Sequence, residues 1–228
     1  MSQRGHLIDD AWYLDYAAGA LDSEAHGVLM ASHVELSDAA RARVALLDRI
    51  GGAVLDTADT APDSGGLSFD ADDIFALADA GERAYPPVAE AGGAPVSERD
   101  DIVLPPALKA YLQRTGVPVR WSFLGPGLRK AILWRGDDGE TLWLLRARPG
   151  VSIPHHGHRG SELTLVLKGS FWDGDQQYTR GDLEEADLGV EHDIRIDEAG
   201  ECVCLALTEG KLRFESPLLR AFQVFTGL

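Results

Sequence analysis

The stretch GVSIPHHGHRGSELTLVLKG, residues 150–169, decides the fold of the second half of this chain. His156 and His158 are two residues apart, and residues with that spacing face the same side of a strand. Glu162 begins the apolar run that follows, and His192 lies further along the chain. Three imidazoles and one carboxylate suit Zn(II), Fe(II), Mn(II), Ni(II) or Cu(II), so these four residues are candidate metal ligands.

Short apolar segments lie on both sides of this stretch. Turns rich in Gly, Asp and Pro, such as GPG, RGDDGE and DGD, separate them. Short strands at a spacing of roughly 8–12 residues are typical of an all-β sandwich or barrel. The predicted strands are residues 117–121, 131–134, 141–146, 162–167, 193–196, 201–207 and 211–214.

Residues 150–169 match the pattern G-x5-H-x-H-x3-E-x6-G at every fixed position, and this pattern resembles the first motif of the cupin family. Residues 181–192 resemble the second cupin motif, with glycines at the expected spacing and a histidine at its end. Asp187 and Ile196 depart from that motif, at a turn and at a strand contact. The resemblance implies a jelly-roll barrel with a divalent metal ion bound by four ligands: His156, His158, Glu162 and His192.

The first 58 residues contain no proline and have a helical pattern. Asp9 or Asp10 can cap a first helix that ends at Gly19, and a second helix is predicted from residue 22 or 23 to about residue 35. Ser37 can cap a third helix. A helical unit this small needs most of its apolar side chains for its own core, so a partner surface is expected to use a minority of them. The apolar stripe of the third helix is Ala40, Val44, Leu47, Ile50 and Val54.

The chain is predicted to form two domains. Residues 86–101 are rich in Pro, Gly and Ala, which is typical of a linker. An all-α helical unit is therefore expected over residues 1–85 and an all-β cupin over residues 102–228. A helical pattern at about residues 70–83 is expected to pack as a fourth helix on the first three.

The helical half resembles the N-terminal domain of ChrR-type anti-sigma factors. The resemblance rests on His6, on YAAG at 16–19, on ASH at 31–33, and on RAR and GG in the third helix. Proteins of this type join that domain to a C-terminal cupin, so the resemblance covers nearly the whole chain. It implies a protein that binds and inhibits an extracytoplasmic-function sigma factor. It also implies a cupin that carries zinc and responds to singlet oxygen or organic peroxide.

One feature of that family is missing from this sequence. The helical domain of the family usually holds zinc with the pattern His…His-x3-Cys-x2-Cys. His6 and His33 match the two histidines, but Ser37 and Ala40 stand where the cysteines are expected. A serine hydroxyl is a poor zinc ligand and alanine is none, so the N-terminal zinc site is predicted to be absent.

Cys202 and Cys204 are the two cysteines of the chain, and they lie two apart in an apolar segment. They are expected to share one face of a strand, where a disulfide between them would be strained. They are either small buried apolar side chains or redox-sensitive thiols near the metal cavity.

Composition sets further expectations. The 228 residues carry 21 basic and 37 acidic side chains, a net charge of −16, which disfavours nucleic-acid binding and suits a basic protein partner. No apolar run is long enough for a membrane span, and the N-terminus lacks the apolar core of a signal peptide. We therefore expect a cytoplasmic protein, with a homodimer left open.

Two other functions fit the same residues. A cupin dioxygenase would use iron or another redox metal at the three histidines and the glutamate, with the helical half as an appendage. A small-molecule-binding cupin would use its helical half to form homodimers. Zinc without oxygen consumption favours the sensor, turnover with iron or manganese favours the dioxygenase, and self-association of the helical half favours the third function.

Overall fold

The computed structural model describes residues 6–57, 102–136, 139–157, 160–186, 191–209 and 213–214. Within these ranges, residues 6–7, 56–57, 154–157, 191–192 and 213–214 are described by their backbone. The predicted linker and the predicted helix at 70–83 lie outside the described residues. The domain boundaries at 85 and 102 therefore stay a prediction.

Four helices are described, and local capping explains where the first two begin. The Asp9 side chain accepts a hydrogen bond from the backbone N–H of Ala11, and Ser23 accepts one from the backbone N–H of His26. Gly19 ends the first helix in the left-handed conformation, as the sequence predicted. The helices are α1 (Asp10–Ala18), α2 (Glu24–Leu36), α3 (Asp38–Thr57) and α4 (Pro106–Thr115).

Twelve strands are described, and they form two facing antiparallel sheets. The strands are β1 (His6–Leu7), β2 (Ser122–Gly125), β3 (Leu128–Arg135), β4 (Thr141–Ala147), β5 (Ser152–Gly157), β6 (Glu162–Lys168), β7 (Ser170–Asp173), β8 (Gln176–Thr179), β9 (Leu183–Ala186), β10 (Glu191–Ile196), β11 (Cys202–Thr208) and β12 (Arg213–Phe214). One sheet has the order β1-β9-β6-β11-β4-β3-β2, and the other has the order β12-β5-β10-β7-β8. The predicted all-β barrel preceded by helices is confirmed.

The seven-stranded sheet has a helix-facing side and an inner side. Along β11, Leu205 and Leu207 belong to the apolar cluster that includes α2 and α4. Cys204 and Ala206 alternate with them and belong to the cluster between the two sheets. Every side chain of this strand is buried because both faces are covered.

The helices and the barrel share one core. Leu29 of α2 and Leu108 of α4 are fully buried against side chains of β4, β6 and β11. The chain also enters the sheet at its very start, because His6 in β1 pairs with Glu185 of β9. The helical unit thus packs on the outer face of the barrel through a shared apolar core.

The start of the second half differs from the prediction. Residues 117–121, expected to be a strand, pair with no strand in the described part of the chain, and α4 was not foreseen. Val117, Val119 and Trp121 do alternate, and they are partly buried on the shared core. Alternation here reflects an extended segment that covers the core without joining the sheet.

The apolar stripe of α3 also differs from the prediction. Within residues 38–55, Ala40 alone is buried. Ile50 is 50% exposed, Val54 60% and Leu55 76%. Val44 and Leu47 are half-buried, so Ile50 and Val54 are the part of the predicted stripe that covers no core in the described part of the chain. The core of the helical half comes mainly from α2, which packs on the barrel.

Candidate functional site

Glu162 is the predicted metal ligand whose side chain the structure describes. It begins β6 and has the parity of Val166, which lies in the cluster between the two sheets. Its carboxylate is therefore directed to the inside of the barrel, where Oε1 accepts a hydrogen bond of 3.1 Å from the Thr164 hydroxyl. The Oε2 atom is buried as well.

Two of the three predicted histidine ligands lie on the facing sheet. His156 of β5 and His192 of β10 are directly opposite each other in the register of those strands. His158 lies outside the described residues. The strands thus bring two of the predicted positions together and place Glu162 on the inward face of the other sheet. An inward-facing carboxylate with a buried oxygen, together with two histidine positions on the facing sheet, is a donor set whose chemistry fits a divalent transition metal.

Cys202 and Cys204 share the inner face, as their spacing predicted. Their sulfur atoms are 3.6 Å apart and both side chains are buried. The contact with the Cys202 thiol raises the pKa of Cys204 well above its ordinary value. Burial and the nearby carboxylates of Glu184 and Glu162 add to this rise. A protonated thiol is a weak nucleophile, which favours the interpretation as small buried side chains.

The sequence reading missed a group of polar side chains on the inner face. The Tyr178 ring is fully buried and stacks on Phe171, with 5.0 Å between centroids. Burial and the carboxylates of Glu184 and Asp173 raise the pKa of Tyr178, so its phenol stays protonated. These residues face inward because of their positions in short strands, and that orientation can be assigned only when the strand register is known.

His33, a predicted remnant of the lost zinc site, joins the helices to the barrel. Its Nδ1 lies 2.8 Å from the carbonyl oxygen of Gly181, and a carbonyl can only accept, so Nδ1 carries the proton. Its Nε2 therefore accepts a hydrogen bond of 2.9 Å from the Tyr13 hydroxyl. Burial lowers the pKa of His33, which keeps the ring neutral. Tyr13 thus occupies the lone pair that a metal would need.

The replaced positions have structural roles of their own. The Ser37 hydroxyl accepts a hydrogen bond of 3.3 Å from the backbone N–H of Ala40, so Ser37 caps α3 as predicted. Gly181 has a φ of +95°, and a Cβ there would lie 2.9 Å from the carbonyl oxygen of Leu36 at the end of α2. The helix end and the barrel turn therefore meet at a distance that requires glycine.

Some apolar side chains of α1 and α3 face outward. Leu46, Ile50 and Val54 recur every four residues, so they lie along one face of α3. Leu14 of the neighbouring helix α1 is 54% exposed. An exposed apolar face on a protein with a net charge of −16 has the character of a partner-binding surface.

No helix in the described part of the chain has the length and apolar character needed to cross a membrane.

Comparison with known proteins agrees with this geometry. Residues 115–211 match the family model of the ChrR cupin-like domain. The chain is 39% identical over 223 residues to anti-sigma-E factor ChrR of Cereibacter sphaeroides, covering 96% of this chain and 97% of the relative. It also matches a crystal structure of Rhodobacter sphaeroides SigE in complex with the anti-sigma ChrR, with 35% identity and a TM-score of 0.62. That match covers 89% of this chain and 98% of the other. The chain therefore belongs to the ChrR family of anti-sigma factors.

Proposed function

We propose that this protein binds and inhibits an extracytoplasmic-function sigma factor through its helical unit. The observation that carries the proposal is the outward apolar face of α3, formed by Leu46, Ile50 and Val54. A relative that is similar over nearly the whole chain is named an anti-sigma factor, and a similar solved structure is of a complex with a sigma factor. Similarity that includes the helical half favours a regulator over a dioxygenase with an appendage.

Charge supports a sigma factor as the partner. Proteins that bind DNA present basic surfaces, and the net charge of −16 would speed the encounter with such a surface. The same charge disfavours direct binding to nucleic acid. Sigma factors act where RNA polymerase acts, so we also propose a cytoplasmic location.

We propose further that the barrel holds a divalent metal at His156, His158, Glu162 and His192, with zinc as the expected ion. The buried Glu162 carboxylate and the opposed positions of His156 and His192 support this ligand set. A redox-inert zinc ion would serve as a structural element of the barrel. In this proposal the barrel responds to singlet oxygen or organic peroxide, and its repacking weakens the hold of the helical unit on the sigma factor.

The helical unit is proposed to work without zinc of its own. Two hydrogen bonds, from Tyr13 to His33 and from His33 to Gly181, join α1, α2 and the barrel at the position of the family's zinc site. Removal of all metal from the chain should therefore leave the α-helical signal of circular dichroism largely in place. Collapse of that signal on chelation would contradict this part of the proposal.

The sigma-factor proposal is tested by co-elution of the full chain with the extracytoplasmic-function sigma factor encoded nearest to its gene. Ile50→Asp combined with Val54→Asp places two carboxylates on the apolar face and should weaken binding at least tenfold. Ala45→Glu is the matched control, because it adds a carboxylate to an exposed position on the other side of α3. Equal binding by all three proteins would rule out α3 as the docking face.

The barrel proposal is tested by elemental analysis of the purified chain. Glu162→Gln keeps the shape of the side chain but removes the anionic ligand, so the metal content of the barrel should fall. Glu198→Gln, in an exposed turn, is the control for the change in charge. Unchanged metal content in the Glu162 variant would contradict the assignment of this ligand.

A further inference from the structure

A second group of metal-ligating side chains lies where α2 meets the barrel. His26 of α2, Glu140 before β4 and Glu209 after β11 each offer a ligand atom, and these three atoms lie within 4.8 Å of one another. We propose that they form a binding site for a divalent first-row transition cation, separate from the barrel site, that clamps the helical unit to the rim of the barrel.

Sheet topology explains why these residues meet. Glu140 and Glu209 directly adjoin Thr141 and Thr208, which are opposite each other in the β4–β11 register. Both glutamates have the parity of the leucines that face the helices, so they lie on the helix side of the sheet. Helix α2 packs over this strand end and brings His26 to them.

The imidazole of His26 is held in a way that suits a ligand. The residue is 1% exposed, and its ring stacks on Trp12 with 5.2 Å between centroids. Its Nδ1 lies 2.8 Å from the Ser23 hydroxyl. A metal-binding histidine characteristically has its other nitrogen fixed by such a partner, which sets the orientation of the ring.

The remaining nitrogen of His26 faces a carboxylate across a gap. Nε2 is 3.6 Å from Oε1 of Glu209, longer than a hydrogen bond, and it makes no hydrogen bond to any residue in the described part of the chain. Two N or O ligands of one tetrahedral zinc ion are separated by about 3.4 Å. A cation between them would be bound by Nε2 and by the Glu209 carboxylate, and the ligand atom of Glu140 lies within 4.8 Å of both residues' ligand atoms.

The glutamates are placed to complete such a site. Oε2 of Glu209 lies 3.4 Å from the backbone N–H of Ser161, which leaves Oε1 toward His26. Oε1 of Glu140 is 4.0 Å from Nδ1 of His26. The side chains of Glu140 and Glu209 are 18% and 39% exposed, so a cation can enter from solvent while the histidine forms the buried wall.

The group of His26, Glu140 and Glu209 lies close to the proposed barrel site. Glu209 follows Thr208, whose partner on β6 is Glu162, the ligand proposed for the barrel. The two groups thus lie on opposite faces of one sheet at the same strand end. A cation at His26 would tie α2 to that end and resist displacement of the helices.

The test counts bound Zn2+ by elemental analysis after gel filtration of the full chain. Glu140→Gln combined with Glu209→Gln should remove one equivalent. The double variant should lose this equivalent both in the natural chain and in a chain that also carries Glu162→Gln. Loss in both chains would show that the equivalent is not the one bound in the barrel. Asp48→Asn combined with Glu198→Gln removes the same charge at exposed positions and should leave the count unchanged. An unchanged count in the Glu140/Glu209 variant would overturn the proposal.

A second measurement does not depend on those substitutions. Trp12 stacks on His26, so Co2+ bound there should quench its fluorescence. Addition of Co2+ should therefore quench the natural chain more than a Trp12→Phe variant, whose smaller ring keeps the stack. Equal loss of fluorescence in the two proteins would place the bound Co2+ elsewhere and count against the site.

Discussion

Helices α2 and α3 are neighbours in sequence but differ in burial. Seven of the thirteen residues of α2 are buried, including two histidines, because the helix packs on the outer face of the seven-stranded sheet. In α3, Ala40 alone is buried among residues 38–55, although the apolar side chains of this helix recur at helical spacing. The helix with the clearer amphipathic stripe is the one that leaves the second half of that stripe, Ile50 and Val54, exposed.

This difference separates anchoring from recognition. α2 carries the contacts that fix the helical unit to the barrel: Leu29 in the shared core, and His33 on Gly181. α3 extends from that anchor with its apolar face outward, at the surface proposed for the sigma factor. Substitutions in α2 should therefore change stability, whereas those on the α3 stripe should change binding.

The largest expected effect on stability is in the shared core. Leu29→Ala removes a fully buried side chain, and the lost burial and the cavity should cost about 2–5 kcal/mol of the free energy of unfolding. Ile50→Ala, at a half-exposed position of α3, should change it by less than about 0.5 kcal/mol. Urea unfolding followed by circular dichroism measures both. Similar losses in the two variants would erase the distinction between the helices.

His33→Ala should have the next largest effect. The substitution leaves the buried carbonyl of Gly181 without its donor, which should cost about 1–3 kcal/mol. Tyr13→Phe removes the other hydrogen bond of His33, which is only partly buried, and should cost less. The same unfolding assay checks both, and a Tyr13→Phe loss that exceeds the His33→Ala loss would contradict the order of the two bonds.

Acid should weaken the same anchor. Burial lowers the pKa of His33 below its ordinary value of 6.5, while the Gly181 carbonyl and Asp182 oppose part of that shift. The unfolded chain therefore takes up a proton first as the pH falls. Stability from this residue should be complete above pH 6.5 and decline below it toward the lowered pKa. A His33→Asn variant should lose part of that slope in unfolding curves between pH 7 and about 5.

The smallest effect should come from the ion pair between α1 and α3. Arg43 contacts Asp10, and both side chains are exposed to solvent. An exposed pair contributes at most about 1 kcal/mol because water and salt screen it. Asp10→Asn should therefore lower stability slightly in low salt, and added salt should remove the difference. A larger or salt-independent loss would mean that α3 is anchored more firmly than its exposure indicates.

The sequence by itself determined the order of parts and most of the local structure. The spacing of His156, His158 and Glu162 with the glycines around them resembles a cupin motif. That resemblance, together with short apolar segments separated by turns, predicted the barrel. Capping residues at 9 or 10, at 22 or 23 and at 37 predicted the helix starts, because a side-chain oxygen satisfies a nearby backbone N–H. The structure selects Asp9 and Ser23 from the first two pairs. Ser37 and Ala40, at the positions of the family's two zinc-binding cysteines, predicted that the N-terminal zinc site is absent. In the structure, hydrogen bonds join Tyr13, His33 and Gly181 at this place.

Tertiary structure decided which apolar faces are covered. The α3 stripe and the alternating residues 117–121 have the patterns of a core helix and a paired strand. Yet Ile50 and Val54 of the stripe are exposed, and residues 117–121 cover the core without pairing to a strand of the described residues. The spacing of apolar residues along the sequence indicates that one face of a helix or strand is apolar, but it does not indicate what packs against that face. The meeting of His26, Glu140 and Glu209 had no sequence signal for the same reason. Their approach depends on the packing of α2 over one strand end, a contact between residues more than a hundred positions apart.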